Sequence, residues 1–205
     1  LTSKLHKFWK NNKFTPVYLR QTANELTGEH SCIMLSPLEN RESKWLFEFA
    51  KDFHKRFLWL MSYDFKKFTA VQALNVIESA KVNDSQEVEQ LTRSELDKLF
   101  TPFDLKRLES YSNNLLDFHV IVDLLPVIAG LFFSGRINEV KLSSVQSAIF
   151  LAIGLQHKSM DDISKELNLP DNQTIAMFSK IIRKVSTYFR GLVSRSIEDT
   201  MPELG

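Results

Sequence analysis

The stretch that decides the fold lies near the end of the chain, where residues 158–195 read KSMDDISKELNLPDNQTIAMFSKIIRKVSTYFRGLVSR. Ser159 is a favourable cap for a short helix, and Asn168-Leu169-Pro170-Asp171 is typical of a tight turn. A long helix is expected from about Asn172. Helix, short turn and helix in this order predict a helix-turn-helix-like unit.

The long helix has two chemically different sides. At 100° per residue, its apolar side chains fall in an arc of about 120°, and they are Ile175, Phe178, Ile181, Ile182, Val185, Phe189, Leu192 and Val193. Its cations fall in an arc of about 140° on the opposite side, and they are Lys180, Arg183, Lys184, Arg190 and Arg195. With Lys158, these cations are candidate nucleic-acid contacts, and the alternative is a solvated helix face.

Upstream of this unit the periodicity is also helical. The span 45–63 repeats large apolar residues at i+4, which predicts a helix with these side chains in the core rather than as base-stacking platforms. They are Trp45, Phe49, Phe53, Phe57 and Met61.

Three further helix starts carry capping signals. Ser94 with Asp97 predicts one, and Ser143 with Gln146 predicts another. Thr101, followed by Pro102 and Asp104, predicts a third helix that runs to about Asp123. Pro126 is expected to interrupt or kink the pattern that follows.

The first 36 residues predict a helix and a β-hairpin. Leu5, Phe8 and Trp9 recur at helical spacing and should share one buried face. Strands are expected at 16–21 and 29–35, with a turn at 27–28. A polar stretch at 37–44 reads as a linker. The fold class is therefore α+β, with a helical domain at 45–205.

Composition narrows the function classes. The chain has 205 residues, 26 basic against 25 acidic side chains and one cysteine, which excludes a disulfide framework and a disordered chain. The uncharged runs at 124–135 and 142–156 are too short for a membrane span. The chain starts at Leu1 without a secretory leader, so we expect a piece of a longer protein.

No catalytic constellation can be assembled from residue spacing. The six glycines are isolated, so neither a Walker A loop nor a dinucleotide fingerprint is present. The five histidines lack metal-ligand spacing, so no metal site is predicted. Cys32 lies on a predicted strand and is expected to be unreactive.

Several short runs together carry a family resemblance. Residues 8–14, FWKNNKF, resemble the helix-to-strand junction in the last helix of GNAT acyl-CoA N-acyltransferases. The whole chain resembles the C-terminal part of the eukaryotic RNA cytidine acetyltransferase family. The runs that carry this resemblance are PVYLRQT at 16–22, LTGEH at 26–30, DLKRLE at 104–109, GLQHKS at 154–159 and IIRKV at 181–185.

The resemblance implies a specific organisation and chemistry. Residues 1–36 would end a GNAT acetyltransferase domain that uses acetyl-CoA, and 45–205 would bind tRNA and rRNA. The product would be N4-acetylcytidine in small-subunit rRNA and in serine and leucine tRNAs, with ATP hydrolysed by a helicase-like module outside this chain. The implied partners are pre-ribosome assembly factors and a tRNA adaptor protein, and the implied location is the nucleolus of the nucleus.

The same resemblance names Trp9, Lys10 and Asn11 as cofactor contacts. Many GNAT enzymes have a tyrosine at the place of Trp9, and the indole has no comparably acidic proton, so Trp9 cannot protonate a thiolate. Asn11 stands where some relatives have an arginine, so this position brings no charge, and Lys10 or Lys13 would have to compensate. Catalytic residues stay unassigned. The alternative function is a non-enzymatic helix-turn-helix module that binds RNA or assists assembly.

Overall fold

The computed structural model describes residues 3–38, 44–81 and 88–200. Most of the predicted linker lies outside these ranges. The elements are α1 Ser3–Asn11, β1 Thr15–Leu19, β2 Cys32–Leu35, α2 Lys44–Leu60, α3 Ala70–Ala80, α4 Arg93–Leu99, α5 Pro102–Ser112, α6 Leu125–Phe133, α7 Ser144–Gly154, α8 Met160–Leu167 and α9 Asp171–Thr200. Short 3₁₀ turns occur at Asp64–Lys67, Phe118–Val120 and Val122–Leu124. The fold is mostly helical with one two-stranded sheet.

The chain forms two compact units. The first holds residues up to 87 together with 155–157, and the second holds 88–154 and 158 onward. The predicted domain boundary at 37–44 stays a prediction, but α2 and α3 pack in the same unit as the hairpin. Among the described helices, none combines the length and apolar character needed to span a bilayer.

The hairpin of the first unit is antiparallel and irregular. Thr15 pairs with Leu35 and Leu19 with Cys32, and a bulge lies between Pro16 and Tyr18. Gly28 has φ of 67°, a left-handed conformation that suits glycine in the connecting turn. The second strand is shorter than predicted. Burial raises the pKa of the Cys32 thiol to about 11, which keeps it protonated as expected for an unreactive cysteine.

Helix α1 buries a different face from the predicted one. Leu5, Phe8 and Trp9 are exposed, whereas His6 is buried and its Nε2 contacts Ser79 Oγ of α3. Ser79 Oγ already donates to the carbonyl of Val76, so Nε2 of His6 is the donor in this contact. Burial lowers the pKa of His6, which favours the neutral ring.

Helix α2 confirms the predicted helix and three of its five predicted core residues. Phe53, Phe57 and Met61 are buried, whereas Trp45 and Phe49 are exposed. Residues four apart are displaced by about 40° around the helix axis, so Trp45 and Phe49, at the start of the series, lie outside the interface. Leu46 and Ala50 take their places, and they pack with Val17 and Leu35 of the hairpin.

The helix starts of the second unit follow local capping chemistry. Thr101 with Asp104, Ser143 with Gln146 and Ser159 with Asp162 each form a reciprocal capping box. The prediction for Ser94 with Asp97 is wrong, because Thr92 with Glu95 forms the box two residues earlier.

Helix α5 ends earlier than the sequence predicted. It stops at Ser112 rather than near Asp123, and Asn114 follows with φ of 59°. This left-handed conformation, which asparagine tolerates well, terminates the helix. Pro126 stands in the first turn of α6, where it fits without a kink.

Helices α8 and α9 are joined by three residues, with Asn168 at φ of 53° closing α8. Ser164 Oγ donates to Thr174 Oγ1 at 2.9 Å and ties the two helices together. The predicted apolar side of α9 is buried from Phe178 to Phe189 against α5, α7 and α8, although Ile175 is exposed. The use of this helix pair as a nucleic-acid-binding helix-turn-helix stays a prediction.

Candidate nucleic-acid interface

One side of α9 forms the floor of an open groove in the second unit. The groove has a volume of about 700 Å³, and its other wall is the segment before α7. It is lined by Glu139, Val140, Lys141, Lys180, Arg183, Lys184, Thr187, Tyr188, Gly191 and Arg195. Five of these side chains are cations and one is an acid, so the groove attracts anions.

The cations of the groove differ in how far they are neutralised. Lys184 Nζ donates to the carbonyl of Lys141 at 2.7 Å, and Arg183 Nη2 donates to the carbonyl of Ser112 at 3.0 Å. A carbonyl has no net charge, so both side chains are positioned while their charge and remaining donors stay available for a phosphate. Among the residues that the structure describes, Lys180 makes no ion pair.

Two predicted contacts on α9 already have an acidic partner. Arg195 Nη1 lies 3.3 Å from Glu139 Oε1 inside the groove. Arg190 Nη1 lies 3.5 Å from Glu109 Oε1, and this pair lines a separate cleft between α5 and α9. Both pairs are largely exposed, so solvent weakens them and an RNA phosphate can compete for the arginines.

Lys158 requires a correction. Its side chain is only 10% exposed, and Nζ lies 2.8 Å from Glu166 Oε2. It does not line the groove. Lys158 is therefore paired with Glu166 and mostly covered in this structure, so it does not present its charge to RNA as predicted.

The predicted cofactor contacts on α1 are only partly available. Lys10 Nζ donates to the carbonyl of Glu78 at 2.6 Å, and burial lowers the pKa of this lysine. Lys10 is therefore directed at α3, and its role as a cofactor contact stays a prediction. Trp9 is 38% exposed and packs edge-on to Phe8 and Phe14, and Asn11 is exposed.

These three residues do not by themselves fit acetyl-CoA. Trp9 offers a flat wall and Asn11 an amide, while Lys10 is held by the neutral carbonyl of Glu78 and burial lowers its pKa. Neither of the two clefts described above is lined by residues of α1. The roles of Trp9 and Asn11 stay predictions, and we derive no chemical step from them. Within the described ranges, no three His, Cys, Asp or Glu side chains are grouped to hold a metal ion.

Several residues of the groove were not predicted from the sequence. Lys141 and Glu139 lie on a connection far from α9 in the chain, and only folding brings them beside it. Thr187 and Gly191 also line it, and both lie in the arc that contains Lys180 and Lys184. That arc could have indicated these two residues.

Comparison with known proteins agrees with this architecture. A family described as "Possible tRNA binding domain" matches residues 45–205, and one described as "GNAT acetyltransferase 2" matches residues 1–39.

The chain is similar over its whole length to proteins named RNA cytidine acetyltransferase. The relative from Saccharomyces cerevisiae is 66% identical over 100% of this chain, and that from Schizosaccharomyces pombe is 49% identical over 98%. The relative from Homo sapiens is 47% identical over 98%. In each case the chain spans 20% of the relative's length. The chain therefore belongs to the RNA cytidine acetyltransferase family and carries its possible tRNA binding domain.

Proposed function

We propose that this chain is the RNA-holding part of an enzyme that acetylates cytidine in RNA. The basic groove beside α9 is the single observation that carries this proposal. Arg183 and Lys184 are held by neutral carbonyls and Arg195 by one exposed acid, so several positive charges face an open surface. Such a groove binds the sugar-phosphate backbone and contributes affinity that depends on salt rather than on sequence.

The reaction we propose for the whole protein is acetyl transfer from acetyl-CoA to the N4 amine of cytidine. The amine attacks the thioester carbonyl, the new C–N bond forms, the C–S bond breaks, and the amine proton leaves with the thiolate. The groove would contribute by holding the RNA so that one cytidine stays at the acetyl donor. We assign no residue of this chain to the proton transfers.

The finer parts of the proposal come from the family resemblance. We propose small-subunit rRNA precursor and serine and leucine tRNAs as substrates, with ATP hydrolysis by a module outside this chain. We further propose pre-ribosome assembly factors and a tRNA adaptor protein as partners, in the nucleolus. The alternative is an RNA-binding or assembly module without enzymatic activity. Mass spectrometry of RNA from cells that lack the parent protein separates the two, because only the enzyme's loss removes acetylcytidine.

Binding of RNA to the 205-residue chain tests the groove directly. Fluorescence anisotropy with a labelled tRNA should give an affinity that falls steeply from 50 to 200 mM salt, with a logarithmic slope of about −3 to −4 for four to five phosphate contacts. A slope near zero, or no binding at low salt, would contradict the proposal.

A further inference from the structure

Two aromatic side chains of the first unit are exposed and lie four residues apart in the chain. Trp59 near the end of α2 is 74% exposed, and Tyr63 just after the helix is 72% exposed. In the part of the chain that the structure describes, neither ring packs against another aromatic ring. Exposed tryptophan and tyrosine this close together leave flat apolar surface in water, which typically marks a binding site.

The surroundings of these rings are positively charged. Lys55 and Arg56 precede Trp59 by four and three residues, so they neighbour it on the helix surface. Lys66 and Lys67 follow Tyr63 at the same spacings. Asp64 is the one acid between Lys55 and Lys67.

None of these four cations forms an ion pair among the described residues. Lys66 Nζ donates to the carbonyl of His157 at 3.3 Å, a neutral partner that leaves its charge in place. The patch formed by Lys55, Arg56, Trp59, Tyr63, Lys66 and Lys67, which we call the aromatic–basic patch, therefore combines flat rings with uncompensated charge.

The other end of α2 provides an internal comparison. Trp45 and Phe49 are also exposed, but Glu48 and Asp52 lie among them and offset the nearby lysines. Apolar surface without net charge does not favour a polyanion. Only the end with Trp59 pairs exposed rings with excess positive charge, and this combination suits single-stranded nucleic acid, whose bases stack on rings while its phosphates meet cations.

We propose that the aromatic–basic patch binds unpaired RNA, with Trp59 and Tyr63 stacking on bases and the flanking cations contacting phosphates. This inference rests on the proposed function in one respect, namely that RNA is the ligand. It adds a second site, in the first unit, that reads single-stranded rather than folded RNA. The two sites are then separable by the kind of RNA that each binds.

The test uses the 205-residue chain and two probes, an unstructured 12-nucleotide RNA and a blunt RNA duplex. Loss of one base–aromatic stack predicts about tenfold weaker binding of the single strand by Trp59→Ala, and Trp59→Phe should retain most of the affinity. Duplex binding should be unchanged. Trp45→Ala is the matched control, because it removes an equally large exposed ring from the same helix and should leave both affinities unchanged.

The variants can overturn the proposal in three ways. Trp59→Ala could bind the single strand with wild-type affinity, or Trp45→Ala could lose as much affinity as Trp59→Ala. The effect of Trp59→Ala could also be confined to self-association of the chain, which would identify a protein-docking face. A wild-type chain that binds the duplex but not the single strand would overturn this inference while leaving the groove proposal intact. A chain that binds neither probe would instead contradict the proposed function.

Discussion

Removing the three cations of α9 that lack an acidic partner is the sharpest test of the groove. We consider the combined substitution of Lys180, Arg183 and Lys184 by alanine. If each contacts one phosphate, the magnitude of the slope of log K against log salt should fall by about 2 to 3 units. The same relation predicts on the order of 100-fold weaker RNA binding at 0.1 M salt, equally for all sequences.

The structural cost of this variant is small enough for the test to be informative. It loses the hydrogen bonds of Arg183 to Ser112 and of Lys184 to Lys141, at 3.0 and 2.7 Å. Each loss costs about 0.5 to 1.5 kcal/mol of unfolding free energy, and alanine's helix propensity returns a few tenths of a kcal/mol. Urea unfolding should therefore show a decrease of about 1 to 2 kcal/mol, with the helical circular dichroism retained.

Fluorescence anisotropy with tRNA, over a series of salt concentrations, measures both quantities. Arg190→Ala is the matched control, since this arginine lies on the same helix but lines a different cleft with Glu109. Its slope should change by less than one unit. Unaltered affinity and slope in the triple variant would refute the reasoning, because the basic side of α9 would then be only a solvated surface.

Three further outcomes are expected. Glu139→Gln should free Arg195 and tighten tRNA binding about fivefold at 0.1 M salt, measured by the same anisotropy titration; weaker binding would show that the ion pair organises the groove. Glu95 accepts a hydrogen bond from Arg136 at 2.8 Å, which lowers the pKa of this carboxyl from 4.5 to about 2. The ionised carboxylate therefore stabilises the folded state above its unfolded pKa, and this stability is lost as pH falls from about 4.5 to about 2. In urea unfolding, Glu95→Gln should reduce the decrease of unfolding free energy over this acidic pH range. An unchanged decrease would mean that other groups control it. The 205-residue chain alone should neither bind acetyl-CoA in calorimetry nor transfer acetyl groups, because Lys10 is held by the carbonyl of Glu78 and neither cleft described above is lined by α1. Micromolar binding would show that α1 forms more of the cofactor site than the structure indicates.

Features of the site that depend on one helix could be predicted from the sequence. The opposed apolar and basic arcs of α9 follow from its residue spacing, and burial of Phe178 to Phe189 confirms the apolar arc. The ion pairs of these cations could not be predicted, because Glu139 and Glu109 are far from Arg195 and Arg190 in the chain. Lys158 was misassigned for the same reason, since only packing buries it beside Glu166.

By itself, the sequence determined the helix starts at Thr101, Ser143 and Ser159, because a capping box joins residues three apart and needs no distant partner. It also determined the family, since similarity to relatives over 98–100% of this chain does not depend on folding. Only the tertiary structure decided which face each helix buries. His6 of α1 is buried, and Trp45 of α2 is exposed. The face that a helix buries depends on the apolar surface of the element it packs against. That surface exists only after distant segments of the chain have come together.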